Sequence, residues 1–395
     1  MQRIFGYELL FRGKLESILT PAAPAEKAAT KTISDSVLLF DLETYAAGKR
    51  AFVPVTRDVL LDGFIHLLPA RSTVVEISAG LEPHEDVHAA CRELKERGYL
   101  IALQGFLEAE WKAFYLPFAD IIKVGMADAG KAGAVDLPRK FASHGIQFLA
   151  EKVETQDAFR KTTSLGYGLF QGGFFRVPAI LSRSRDIPGS KLNYLRLVSA
   201  LHQPGIDIPE IESIIRREVS LTYKLLRYLN SAFFGFRSEI RSITHALSLL
   251  GERETKRWAS LVLLTGIAQD KPDELVTQAL VRARFCEAMA CASGAEDRKE
   301  QAFLMGMLSL MSPILDRPME DILKSLPVAD DVRRALMEEK NGLWHHLESI
   351  RAMERGDWGI LSACAARLRV EESEIPEIYR GALQWAREGL SPVQA

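Results

Sequence analysis

Seven short apolar runs between Ile4 and Phe170, separated by longer amphipathic stretches, restrict the first half of this chain to very few architectures. They are Ile4–Phe11, Ala51–Thr56, Thr73–Ile77, Tyr99–Leu103, Ile121–Val124, Ile146–Ala150 and Tyr167–Phe170. Each is bounded by turn residues and is apolar nearly throughout, as a strand covered on both faces must be. Helical patterns lie between them. Thr32–Tyr45 aligns Ile33, Val37 and Phe40, and Glu85–Arg97 stops at Gly98. Repeated strand–helix units predict a parallel sheet covered by helices, and seven strands over this length predict a barrel rather than an open sheet.

After Pro178 the pattern ends. The segment Ser182 to Ser190, SRSRDIPGS, is polar and rich in breakers, which places a boundary there and predicts domains over 1–185 and 190–395. No strand-like alternation returns. Asp207, Pro209 and Glu210 open a helix with Ile211, Ile214, Ile215 and Val219 on its buried stripe. Ser220 caps a second, carrying Leu221, Leu225, Leu226 and Leu229, which stops near Asn230. The next presents Ile243, Ala246, Leu247 and Leu250 and stops at Gly251, and further helices are expected over Met319–Glu339 and Glu377–Arg387. The second half is predicted all-α.

Composition narrows the function classes. The 395 residues carry a net charge of −2, 47% hydrophobic and 26% charged residues, so no global field favours nucleic acid or an anionic membrane. No run approaches the ~18 apolar residues of a membrane span, and the N-terminus lacks the apolar core of a signal peptide. The expectation is a cytoplasmic protein with no nucleic-acid or membrane partner. Cys91, Cys286, Cys291 and Cys364 form no CxxC pair and are expected to be buried, reduced thiols.

Four ordered segments carry a resemblance in the first half. Gly6-Tyr7-Glu8-Leu9-Leu10-Phe11-Arg12, Ile122-Lys123-Val124, Glu151-Lys152-Val153-Glu154-Thr155 and Gln171-Gly172-Gly173-Phe174-Phe175 resemble the motifs of the EAL domain over about Met1 to Pro178. That resemblance implies a TIM-like barrel whose active members hydrolyse cyclic di-GMP with divalent metals. It also implies a strand and turn before the Gly-Tyr-Glu segment, and only five residues precede Gly6, so either the chain is truncated there or another segment is expected to cover the edge of the missing strand.

Barrel chemistry sits at the C-terminal strand ends. By the resemblance, Glu8 corresponds to the first metal carboxylate and Arg12 to a phosphate-facing cation, while Lys123, Glu151, Glu154 and Gln171 are also retained. Other ligand positions are not. Pro54 stands where an Asn ligand is expected, Ala79 where a Glu is, and Gln104-Gly105 where two aspartates are. Without paired carboxylates there is little to hold a hard cation. The expectation is a degenerate EAL domain with no metal and no catalytic residue. Two readings of the survivors stay open: a charge network closing the barrel mouth, or a nucleotide-binding relic in Glu8, Arg12, Lys123, Glu151, Glu154 and Gln171. His84-Glu85-Asp86-Val87-His88 fits the H-E-x-x-H zinc pattern, but it lies in the first turn of an exterior helix and is expected to bind no zinc.

In the second half, Leu229-Asn230-Ser231-Ala232, Phe233-Phe234-Gly235 and Ala246 to Leu249-Leu250-Gly251 resemble the HDOD domain, over roughly Lys191 to Gly389. The resemblance implies an all-helical relative of the HD phosphohydrolases without their metal site. Ser309 and Leu310 stand where the His-Asp pair would be. His345-His346 point apart on a helix and are expected at solvent or a partner. Arg216-Arg217 and the Arg282, Arg284 pair are expected on solvated faces. Phe233, Phe234 and Phe236 follow a helix stop, which makes them either core or an exposed interaction surface. The junction is short enough for the domains to share an interface.

Two enzyme-like halves stripped of metal ligands predict a non-catalytic signal-transduction protein. It would act on other signalling proteins, with cyclic di-GMP binding possible but not favoured, no cofactor, and oligomerisation left open. The alternatives are a cyclic di-GMP sensor that does not cleave its ligand, or a phosphodiesterase with atypical ligands.

Overall fold

The computed structural model describes residues 3–9, 46, 48–78, 81–105, 112–125, 137–141 and 144–174, scattered positions from 191 to 213, and 243–394 except 270 and 325. Chain contacts divide it into two units that meet in sequence at Val177 and Pro178.

The first unit is a parallel, half-barrel sheet of seven described strands in sequence order. These are β1 (Gly6–Glu8), β2 (Arg50–Val55), β3 (Thr73–Ser78), β4 (Leu100–Gln104), β5 (Ile121–Gly125), β6 (Gln147–Glu151) and β7 (Leu169–Phe170). Each lies within an expected run or within a few residues of it. β1 is shorter than Ile4–Phe11, and Leu10 onward falls outside the described residues. Its ladder with β2 pairs Gly6 with Arg50 and Glu8 with Phe52, and Leu9 still donates to the Phe52 carbonyl at 3.0 Å. The next position of that parity on β2 is Pro54, which has no N–H to continue the ladder.

Alternation along the strands builds two faces. Val53, Val55, Val75, Ile77, Ile101 and Leu103 lie under α1 (Glu85–Glu96), which contributes Val87, Cys91 and Leu94 to that core. Glu85 and Asp86 in the first turn suit the helix dipole, and Gly98 at φ 86° lets the chain turn into β4. Behind β5 and β6, α2 (Gln156–Ser164) places Phe159 flat on Phe174 with ring centroids 4.6 Å apart. On the opposite face, Phe52, Val74, Ala102, Ile121 and Leu149 form one apolar layer. Two residues further along the same strands come Pro54, Glu76, Gln104, Lys123 and Glu151, so the sequence changes from apolar to polar within one pleat at the C-terminal strand ends.

Every described element of the second unit is helical. The main ones are α3 (Ile243–Ile267), α4 (Asp273–Ala292), α5 (Lys299–Leu308), α6 (Trp344–Arg355), α7 (Trp358–Leu368) and α8 (Ile375–Gln394). Gly251 does stop the helix that begins at Ile243: at φ 73° it breaks α3, and a second helical segment starts at once. The helical region expected over Met319–Glu339 holds two helices, Met319–Lys324 and Asp330–Leu336, separated where Pro327 lacks an N–H and biases Leu326 away from helix. The expected helix Glu377–Arg387 lies inside α8. α4 is buried on most sides, with Leu280, Ala283, Phe285, Cys286 and Met289 all in the core. Gly306 of α5 lets the two backbones touch, since a Cβ there would lie 2.4 Å from the Arg282 carbonyl oxygen.

Among the described residues no helix is long and apolar enough to cross a membrane. Cys91, Cys286 and Cys364 are buried and free, as expected, but Cys291 is exposed at the end of α4, where the packed stretch of the helix finishes.

Candidate functional site

The polar layer at the strand ends is organised on one ammonium group. The Lys123 side chain is 1% exposed, and its Nζ donates to Glu8 Oε2 at 2.9 Å, approaches Glu151 Oε1 at 3.0 Å and contacts Glu76 Oε1 closely. Two of the lysine's three donors are thus committed to Glu8 and Glu76, and Glu151 completes the cluster as an ion pair. Two amides complete the layer. Gln104 Nε2 donates to Glu151 Oε1 at 2.9 Å, and Gln171 Nε2 donates to Glu8 Oε2. The last bond ties the residue after β7 to the end of β1.

Position in the sheet explains each member. Gln104 and Lys123 are register partners on β4 and β5, while Glu151 pairs with Gly125 at the end of β6. Lys152 follows at φ 56°, a left-handed backbone that costs a non-glycine residue on the order of 1–2 kcal/mol and turns the chain away after Glu151. Gly172 permits the next close approach, because a Cβ there would lie 2.2 Å from the Val153 carbonyl oxygen.

Electrostatics follow from three carboxylates sharing one buried cation. Burial raises the Glu76 carboxyl; Lys123 opposes this and Glu8 and Glu151 add to it, so the group is pushed up to about 7. Burial alone would lower Lys123, but Glu76, Glu8 and Glu151 outweigh it and hold the lysine above its ordinary value. Glu76 is the member that motif reasoning missed. Its signal was present as a carboxylate in the middle of an otherwise buried strand, TVVEIS.

Of the residues expected here, Glu8, Lys123, Glu151 and Gln171 meet. Glu154 is exposed and instead accepts from the Gly173 N–H at 3.2 Å. Arg12, Ala79, Phe233, Phe234, Phe236, Arg216 and Arg217 lie outside the described residues.

The donor set does not fit the divalent metals that the EAL resemblance implies. Glu8 already accepts from Lys123 and Gln171, Glu151 accepts from Gln104 and is paired with Lys123, and Pro54 has no side-chain ligand atom. Gln104 turns its NH₂ toward Glu151, the orientation that carboxylate requires, so the amide competes for the oxygen a cation would use. His84 and His88 diverge: His84 is exposed beside Asp86, and the His88 ring packs edge-on against Phe118 at 4.7 Å.

At the position resembling the His-Asp pair, Ser309 caps α5. Its hydroxyl donates to the Gly306 carbonyl at 2.7 Å and accepts from Arg282 Nη1 at 3.1 Å. Arg282 is not solvated as expected. It is buried and binds Glu354 of α6 through Nε at 2.9 Å and Nη2 at 2.6 Å. A planar guanidinium with five donors can be buried where two helices supply a carboxylate and a hydroxyl. Arg284 pairs with Glu287 at 2.7 Å. His346 is likewise buried rather than at solvent, with Nε2 3.1 Å from Ser293 Oγ, and burial pushes it down to about 4. α6 lies against α4, and His346 faces inward while His345 is half-buried beside Trp344.

Comparison with known proteins extends this. The HDOD domain model matches residues 187–325. A Vibrio cholerae protein named cyclic di-GMP phosphodiesterase CdgJ is 31% identical over 386 residues, covering 97% of this chain and 89% of that one. The Bacillus subtilis protein YuxH is 29% identical over 392 residues, covering 97% of this chain and 95% of that one. A solved Bacillus subtilis protein, YkuI, with an EAL domain in complex with cyclic di-GMP and calcium, is 16% identical with a TM-score of 0.34, over 63% of this chain and 69% of that chain. With 31% identity along almost its whole length, the chain belongs to the same family as CdgJ, and residues 187–325 carry an HDOD domain.

Proposed function

We propose that this protein acts in cyclic di-GMP signalling by binding rather than by hydrolysis. The observation that carries the reading is the mouth of the sheet, where Gln104 and Lys123 occupy the Glu151 oxygen. A two-metal phosphodiesterase needs clustered oxygen ligands free to hold cations and activate water. Here Pro54, Ala79, Gln104 and Gly105 stand at four ligand positions, and the remaining carboxylates satisfy a lysine. The EAL-type half is then a degenerate domain, and the HDOD half is its platform for other signalling proteins.

A second reading has a specific observation in its favour. The relative CdgJ is named a phosphodiesterase, and Glu8, Lys123, Glu151 and Gln171 converge as a retained site would. Calorimetric titration with cyclic di-GMP, with and without Mg²⁺, separates the readings. No heat in either condition supports the protein-interaction reading, metal-independent binding supports a sensor, and binding followed by Mg²⁺-dependent turnover supports the enzyme. Affinity capture from the native host then identifies the signalling partner.

A further inference from the structure

We draw no further inference here: the strongest candidate, the side-chain cluster in the helical unit where His202 lies 2.8 Å from Ser260 Oγ and 3.3 Å from Glu300 Oε2, carries nothing because Ser260 is fully buried with its hydroxyl on the Lys256 carbonyl, and among the described residues nothing shows a ligand or partner reaching it.

Discussion

Gln104 donates to Glu151 at 2.9 Å from a strand two places away, with the Lys123 ammonium contacting the same carboxylate oxygen. A glutamine therefore takes up acceptor capacity that an aspartate at that position would have left to a cation. The consequence is a polar layer held together internally, with Lys123 as its centre.

Removing that centre should be costly. Lys123→Met leaves Glu8, Glu76 and Glu151 without their shared cation, and breaking a buried ion pair from one side costs about 3–5 kcal/mol. Urea unfolding of the first unit's transition should show this loss. A loss below about 1 kcal/mol would mean that solvent already reaches the cluster.

Glu76 gives the layer a pH dependence of definite sign. Its carboxyl is raised from 4.5 to about 7 in the folded protein, so folding favours its protonated form. The associated cost is absent below pH 4.5, grows as pH rises toward 7, and is constant above. Across that window the wild type should lose up to about 3 kcal/mol relative to Glu76→Gln, at ~1.4 kcal/mol per pH unit. Parallel pH–stability curves for the two proteins would contradict the assignment.

Much of this fold was legible in the residues, and the reasons differ by element. Parallel strands buried on both faces announce themselves as apolar runs, so β2 to β7 fall close to their expected positions. The Met319–Glu339 region is helical as its apolar spacing implies, and Pro327, a local breaker, divides it into two helices. Within the site, motif order found Glu8, Lys123, Glu151 and Gln171. Glu76 matched no expected ligand position, and only three-dimensional register brings it to Lys123. Arg282 and Arg284 were misjudged because charge alone does not reveal a carboxylate waiting on another helix or one turn along.

Arg282 offers a matching test in the helical unit. Arg282→Met should destabilise it by about 3–5 kcal/mol by removing the buried guanidinium from Glu354, and adding Glu354→Leu should recover most of the loss. A double variant no more stable than the single one would place the arginine's contribution in its Ser309 bond and packing instead.

Gly306→Ala probes the α4–α5 contact beside it. The added methyl would meet the Arg282 carbonyl, so a loss of about 1–3 kcal/mol is expected in thermal unfolding. An unchanged midpoint would show that the helices separate freely.

Metal-dependent hydrolysis at the sheet mouth is tested by one assay. Purified full-length protein is incubated with cyclic di-GMP and Mg²⁺ or Mn²⁺, and linear product is followed over time for wild type and Glu8→Ala. With either metal, the wild type is expected to form no product above the rate of the Glu8→Ala variant. Metal-dependent turnover by the wild type that disappears in Glu8→Ala would contradict it.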